Sequence, residues 1–118
     1  MCGYESHGEM RQKLQRLADR YPSLAQVGSV GQSQQGRPLT YIKISNNVTR
    51  RSHLEPMFKY VGNMHGDETV GRQMILYMAH YLLQNYNSSP RVKRVNFFKL
   101  LKIFGDQFEI LTCFSKYL

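Results

Sequence analysis

The stretch Pro56-Met57-Phe58-Lys59-Tyr60-Val61-Gly62-Asn63-Met64-His65-Gly66-Asp67-Glu68-Thr69-Val70-Gly71 decides how this chain is read. Residues 57–62 form a short buried strand that stops at a glycine and an asparagine. A His-x-x-Glu pair follows at the turn, and a long apolar segment then begins at helical spacing. Strand, tight turn and helix in that order put chemistry at the carboxyl end of a strand, where α/β sheets place their sites. Gly62 and Gly66 let the backbone turn tightly and leave space above it.

Working outward from this corner, residues 68–86 read as one helix. Its only glycine is Gly71, it holds no proline, and Gln73, Tyr77, His80 and Gln84 make a narrow polar stripe. A helix this apolar is expected to be mostly buried against a sheet. Upstream, Met10, Leu14, Leu17, Ala18 and Tyr21 recur at helical spacing with charged residues between them, and Pro22 stops the pattern. Residues 25–31 and 39–45 alternate in hydropathy on either side of the polar turn Gln32-Ser33-Gln34-Gln35-Gly36-Arg37-Pro38. They predict an antiparallel hairpin. Residues 85–90 read as a loop. Beyond Arg91 the chain is strongly apolar but keeps neither helical nor strand period, and Gly105-Asp106 interrupts it. Short helices are the expectation there.

With 118 residues and 42% apolar content, the chain has room for one small domain with a modest core. The formal net charge of +8 would suit an acidic partner or surface. Its basic residues are scattered and never form a long run, so no nucleic-acid partner is expected. No segment approaches the length of a membrane-spanning helix, and residues 1–8 contain no apolar stretch that could act as a signal peptide. Cys2 and Cys113 make neither a metal spacing nor a disulfide framework.

Histidine nitrogen and a carboxylate are both good zinc ligands. At three-residue spacing across a strand-to-helix turn, His65 and Glu68 can point at one ion. The positive end of the helix dipole would hold the Glu68 carboxylate ionised. His80 stands about 18 Å further along the helix, at 1.5 Å per residue, and cannot reach the same ion. His53 belongs near the opposite end of the strand, and no pattern supports His7 or Cys113 as ligands. Arg72, four residues after Glu68, is most simply its helical salt-bridge partner and alternatively a residue supporting the metal ligands.

The segment Pro56-x-Phe58-x-Tyr60 through Arg72 resembles the first zinc-ligand segment of the zinc metallocarboxypeptidases, in their regulatory branch of the D, E and N type. Ser29-Val30-Gly31 through Gly36-Arg37-Pro38-Leu39, then Ile42-Lys43-Ile44-Ser45, is similar to that branch's N-terminal hairpin. The resemblance runs from about Met10 to Arg94. It implies an α/β fold: the N-terminal part of a mixed β-sheet with packed helices, incomplete relative to the family's α/β/α domain. It also makes His65 and Glu68 two ligands of one zinc ion. The activity it implies is removal of the C-terminal residue, Lys or Arg in this branch, from a peptide or protein. In that chemistry a zinc-bound water attacks the scissile carbonyl, a glutamate takes its proton, and zinc with an arginine stabilises the oxyanion. An asparagine–arginine pair holds the substrate carboxylate. Secretory-pathway or extracellular placement is likewise implied.

The chain departs from this pattern after Arg94. The family's third zinc ligand is a histidine about a hundred residues further on, and no histidine follows His80. The general-base glutamate and the substrate arginines have no counterpart either. Residues 1–94 therefore read as the N-terminal part of the catalytic domain and 95–118 as a divergent hydrophobic tail. On this reading the chain is a truncated form with a weakly held zinc and little or no activity, and an uncovered sheet edge gives it a route to association. The rival readings are a non-catalytic peptide- or protein-binding module and a basic nucleic-acid-binding protein.

Overall fold

The first helix begins where the sequence supplies a cap. In a computed structural model describing residues 6–50, 54, 58–63, 68–95 and 99–103, helix α1 spans His7–Arg20. The Ser6 hydroxyl accepts from the Glu9 backbone N–H (3.3 Å), and Glu9 Oε2 accepts from the Ser6 N–H (2.7 Å). This reciprocal capping box satisfies two of the donors that a helix start leaves without partners. The same Ser6 groups hold the Glu9 carboxyl below its ordinary value of 4.5. Met10, Leu14, Leu17 and Ala18 form the buried stripe that the periodicity predicts.

Strands β1 (Ala25–Gln32) and β2 (Pro38–Ile44) pair antiparallel, with Ala25 opposite Ile44 and Gly28 opposite Tyr41. The turn between them is closed by the Ser33 N–H donating to Arg37 O (2.8 Å) and the Gly36 N–H donating to Ser33 O (2.9 Å). Gly36 sits at φ 77°, a left-handed conformation that glycine adopts without steric cost. Strand β3 (Phe58–Gly62) follows. It is not buried along its length as expected, since it is an edge strand with Phe58 more than half exposed and only Gly62 buried. Then come α2 (Thr69–Gln84) and a short helix α3 (Pro90–Val95). Proline at the first position of α3 fits, because its missing N–H would have no helical partner there.

The expectation of short helices beyond Arg91 holds for α3 and fails at residues 99–103, the rest of that stretch lying outside the described residues. Residues Lys99–Ile103 are strand β4, and the sheet runs β1-β2-β4-β3. β4 pairs antiparallel with β2 and parallel with β3, setting Leu101 beside both Ile42 and Tyr60. Its conformation is fixed by backbone partners on two sides, both distant in sequence, so no local period announces it. The sheet is thus mixed, as expected of the fold class, with β1 and β3 at its edges.

Both long helices pack into one core. α1 lies on β1 and β2, while α2 lies on β3 and also meets β4, β2 and α1. The Leu14, Ile42, Ile44 and Ile75 side chains are fully shielded from solvent, each burial being worth about 1.5–3 kcal/mol. One expectation needs correcting here. α2 is not covered on nearly all sides, for Val70, Met74 and Tyr81, outside the polar stripe, are each more than half exposed. The polar stripe is narrower than its pattern suggests, since Gln73 is half-buried. The described helices and sheet face leave the outer side of α2 open.

Candidate metal-ligand corner

The chain leaves the edge strand β3 and enters α2 through a tightly packed corner. Gly62 is buried at the end of β3. A Cβ added there would lie 2.5 Å from Ile75 Cδ1 and 2.8 Å from the Gly71 carbonyl oxygen. The glycine is therefore required for close strand–helix approach, not for turning or for leaving room above the turn. The next residue does the turning. Asn63 takes φ 57°, a left-handed conformation in which asparagine is among the better-tolerated residues, and it is almost wholly buried at 1% exposure. In sequence, Asn63 reads only as a strand terminator. Gly71 faces the same corner at ordinary contact distance, an added Cβ there lying 3.7 Å from Asn63 N. That contact joins residues eight positions apart, beyond any local pattern.

Glu68 is the N-cap residue of α2, with φ −82° and ψ 54°, and its side chain makes no capping hydrogen bond. It is exposed, so its carboxylate stands at the positive end of the helix dipole and faces solvent. Arg72, one turn further on, is half-buried. His65 and Gly66 lie outside the described residues, as do His53, Cys2, Cys113 and residues 104–118. His7 opens α1, and His80 lines a groove between α1 and α2 three turns from Glu68.

Among the described residues no three His, Cys, Asp or Glu side chains come together as a metal site. Among its described residues the corner offers one carboxylate, that of Glu68, and this donor set alone does not make up a zinc centre, which in catalytic sites takes three protein ligands.

Comparison with known proteins fits this corner into a wider pattern. The profile of the family described as zinc carboxypeptidase matches residues 10–98. Carboxypeptidase D of Drosophila melanogaster is 46% identical over 83 residues, covering 70% of this chain and 6% of its own length. Human carboxypeptidase Z is 37% identical over 93 residues, covering 78% of this chain and 14% of its own. The crystal structure of thrombin-activatable fibrinolysis inhibitor superposes with a TM-score of 0.75 at 16% identity, over 84% of this chain and 24% of that one. The last likeness concerns the fold alone. The chain thus spans a small fraction of the length of each of these relatives.

Proposed function

Because the chain belongs to the zinc carboxypeptidase family, with relatives in the regulatory branch, we propose that its corner after β3 is part of a carboxypeptidase metal centre. The observation that carries the reading is the place of the Glu68 carboxylate, exposed at the start of the helix packed on β3. His65 and Glu68 would be two ligands of one zinc ion, with Arg72 supporting Glu68. Zinc, when bound, supplies Lewis-acid activation of the scissile carbonyl and of water. The substrate would be the C-terminal Lys or Arg of a peptide or protein, in the secretory pathway or outside the cell.

These 118 residues taken alone would turn over little or no substrate. Two protein ligands hold zinc weakly where catalytic sites use three, and neither a general-base glutamate nor substrate-binding arginines can be assigned. Residues 1–94 would form the N-terminal part of the catalytic domain. Residues 95–118 would be a segment of divergent sequence, of which β4 occupies a place in the sheet.

Two measurements test this. Calorimetric zinc titration of the wild type should show weak binding that His65→Ala and Glu68→Ala each remove; identical isotherms would sink the assignment. Incubation with zinc and a peptide ending in Arg, followed by mass spectrometry, should leave the peptide intact. Chelator-sensitive release of the terminal Arg, abolished by Glu68→Ala, would refute inactivity while supporting the metal centre.

A further inference from the structure

The outer side of the two-helix layer carries a second feature, independent of the metal corner. A groove of about 390 Å³ runs between α1 and α2, lined by Lys13, Arg16, Leu17 and Arg20 from α1 and by Leu76, Tyr77 and His80 from α2. Leu17 and Leu76 are buried at 5% and 2% exposure and form its apolar floor. The three cations fall at i, i+3 and i+7 of α1, so they share one side of the helix and make one continuous basic lip.

Of the two carboxylates of α1, Asp19 has its partner outside the groove lining, while Glu9 answers both the Ser6 cap and Lys13. Glu9 is held by the Ser6 cap, although Lys13 also contributes to its lowered pKa. Asp19 Oδ1 accepts from Gln15 Nε2 at 3.0 Å. Arg20 is steadied by its approach to the Tyr21 ring, 5.7 Å from guanidinium carbon to centroid. Among the described residues none that lines the groove is acidic. On the opposite lip Tyr77 is 59% exposed, and the apolar surface continues along α2 through Met74 and Tyr81. The chain as a whole carries +8.

We propose that the α1–α2 groove is a docking site for an acidic amphipathic peptide segment of a partner protein. Such a segment would seat one or two apolar side chains on Leu17, Leu76 and Tyr77 and set carboxylates at three- and four-residue spacing against Arg16 and Arg20. Charge complementarity selects this occupant. A segment apolar throughout would leave the basic lip unanswered, and a groove with a recessed floor suits inserted side chains better than a flat lipid surface. Docking an amphipathic helix into a groove between two helices is a recurring recognition mode, and complementary charge sets its selectivity and salt response.

The test uses the full chain and a fluorescein-labelled, alanine-based helical peptide with two Leu on one face and Glu at three- and four-residue spacing beside them. Fluorescence polarisation should show saturable binding that weakens as salt rises. Arg16→Glu with Arg20→Glu should weaken it at least about tenfold, and Tyr77→Ala should weaken it at all salt concentrations. Both arginines are exposed, and circular dichroism checks that the variants keep their helices. A peptide with Gln in place of every Glu should bind at least about tenfold more weakly. Equal binding of that Gln peptide, indifference to the Arg16/Arg20 reversal, or no binding up to about 1 mM peptide would each overturn the proposal. So would binding to phosphatidylserine vesicles or generic DNA that matches or exceeds binding to the peptide.

Discussion

The two long helices start in opposite ways. α1 opens with a complete capping box, in which the Ser6 and Glu9 side chains answer each other's backbone N–H groups. α2 opens at Glu68 with no side-chain cap, no acidic residue in its first turn and Arg72 close to the positive end of its dipole. Past their first turns the helices converge, each sending a buried aliphatic stripe into the same core. The difference teaches that the body of α2 is built for packing, whereas its start is not closed by the side-chain capping that α1 uses. The proposed ligand Glu68 stands at that start without capping its own helix.

The largest effects should come from the bodies, where the two helices are alike. Leu14 and Ile75 are both fully buried, one in each helix. Leu14→Ala and Ile75→Ala should each destabilise the fold by about 2–5 kcal/mol, the usual range for a large-to-Ala cavity. Urea titration followed by circular dichroism measures both. A loss under about 1 kcal/mol for Ile75→Ala alone would mean that α2 contributes less to the core than α1 does.

Gly62→Ala probes the packing beneath the α2 start. The added Cβ would press on the Gly71 carbonyl at 2.8 Å and on Ile75 Cδ1. The side chain can rotate away, but a carbonyl inside a helix cannot. A cost of about 1–3 kcal/mol follows, with α2 shifted away from β3. Thermal melts give the cost, and weaker zinc binding by a folded variant would show that Glu68 had moved with its helix.

How much of this can be seen in the sequence depends on how local each cause is. α1, the hairpin and α2 come from hydropathy periods with turn and cap residues beside them, and they stand close to where those signals put them. The β3–α2 corner is half visible. Glu68 is expected at a helix start, but the contact that fixes the corner joins Gly62 to Gly71 and Ile75, and the residue that turns the chain is Asn63. Glycine at position 62 looks like a turn residue because sequence shows a missing side chain without showing what fills its space. β4 is invisible in the sequence, since its partners in β2 and β3 are far away along the chain. The open outer side of α2 is hidden too. An apolar face reads as buried until the number of elements available to cover it is known.

Substitutions at the helix starts bear most directly on the contrast between them. Ser6→Ala removes a side-chain acceptor from a capping box and should cost about 1 kcal/mol. Glu68→Ala removes no cap and should leave the melting temperature nearly unchanged. A loss from Glu68→Ala equal to that from Ser6→Ala would show that Glu68 stabilises its helix after all, and would weaken the case for a ligand role.

The smallest expected effect is a pH dependence confined to α1. The Ser6 backbone and side-chain groups favour the charged form of Glu9 and hold its carboxyl below 4.5 in the folded chain. A carboxyl lowered by folding adds stability above its ordinary value, and loses that contribution as pH falls through the lowered one. Glu9 is fully exposed, so solvent and salt keep the contribution small. Wild type and Glu9→Gln should therefore differ most in stability above pH 4.5 and converge in stronger acid, with added salt narrowing the gap.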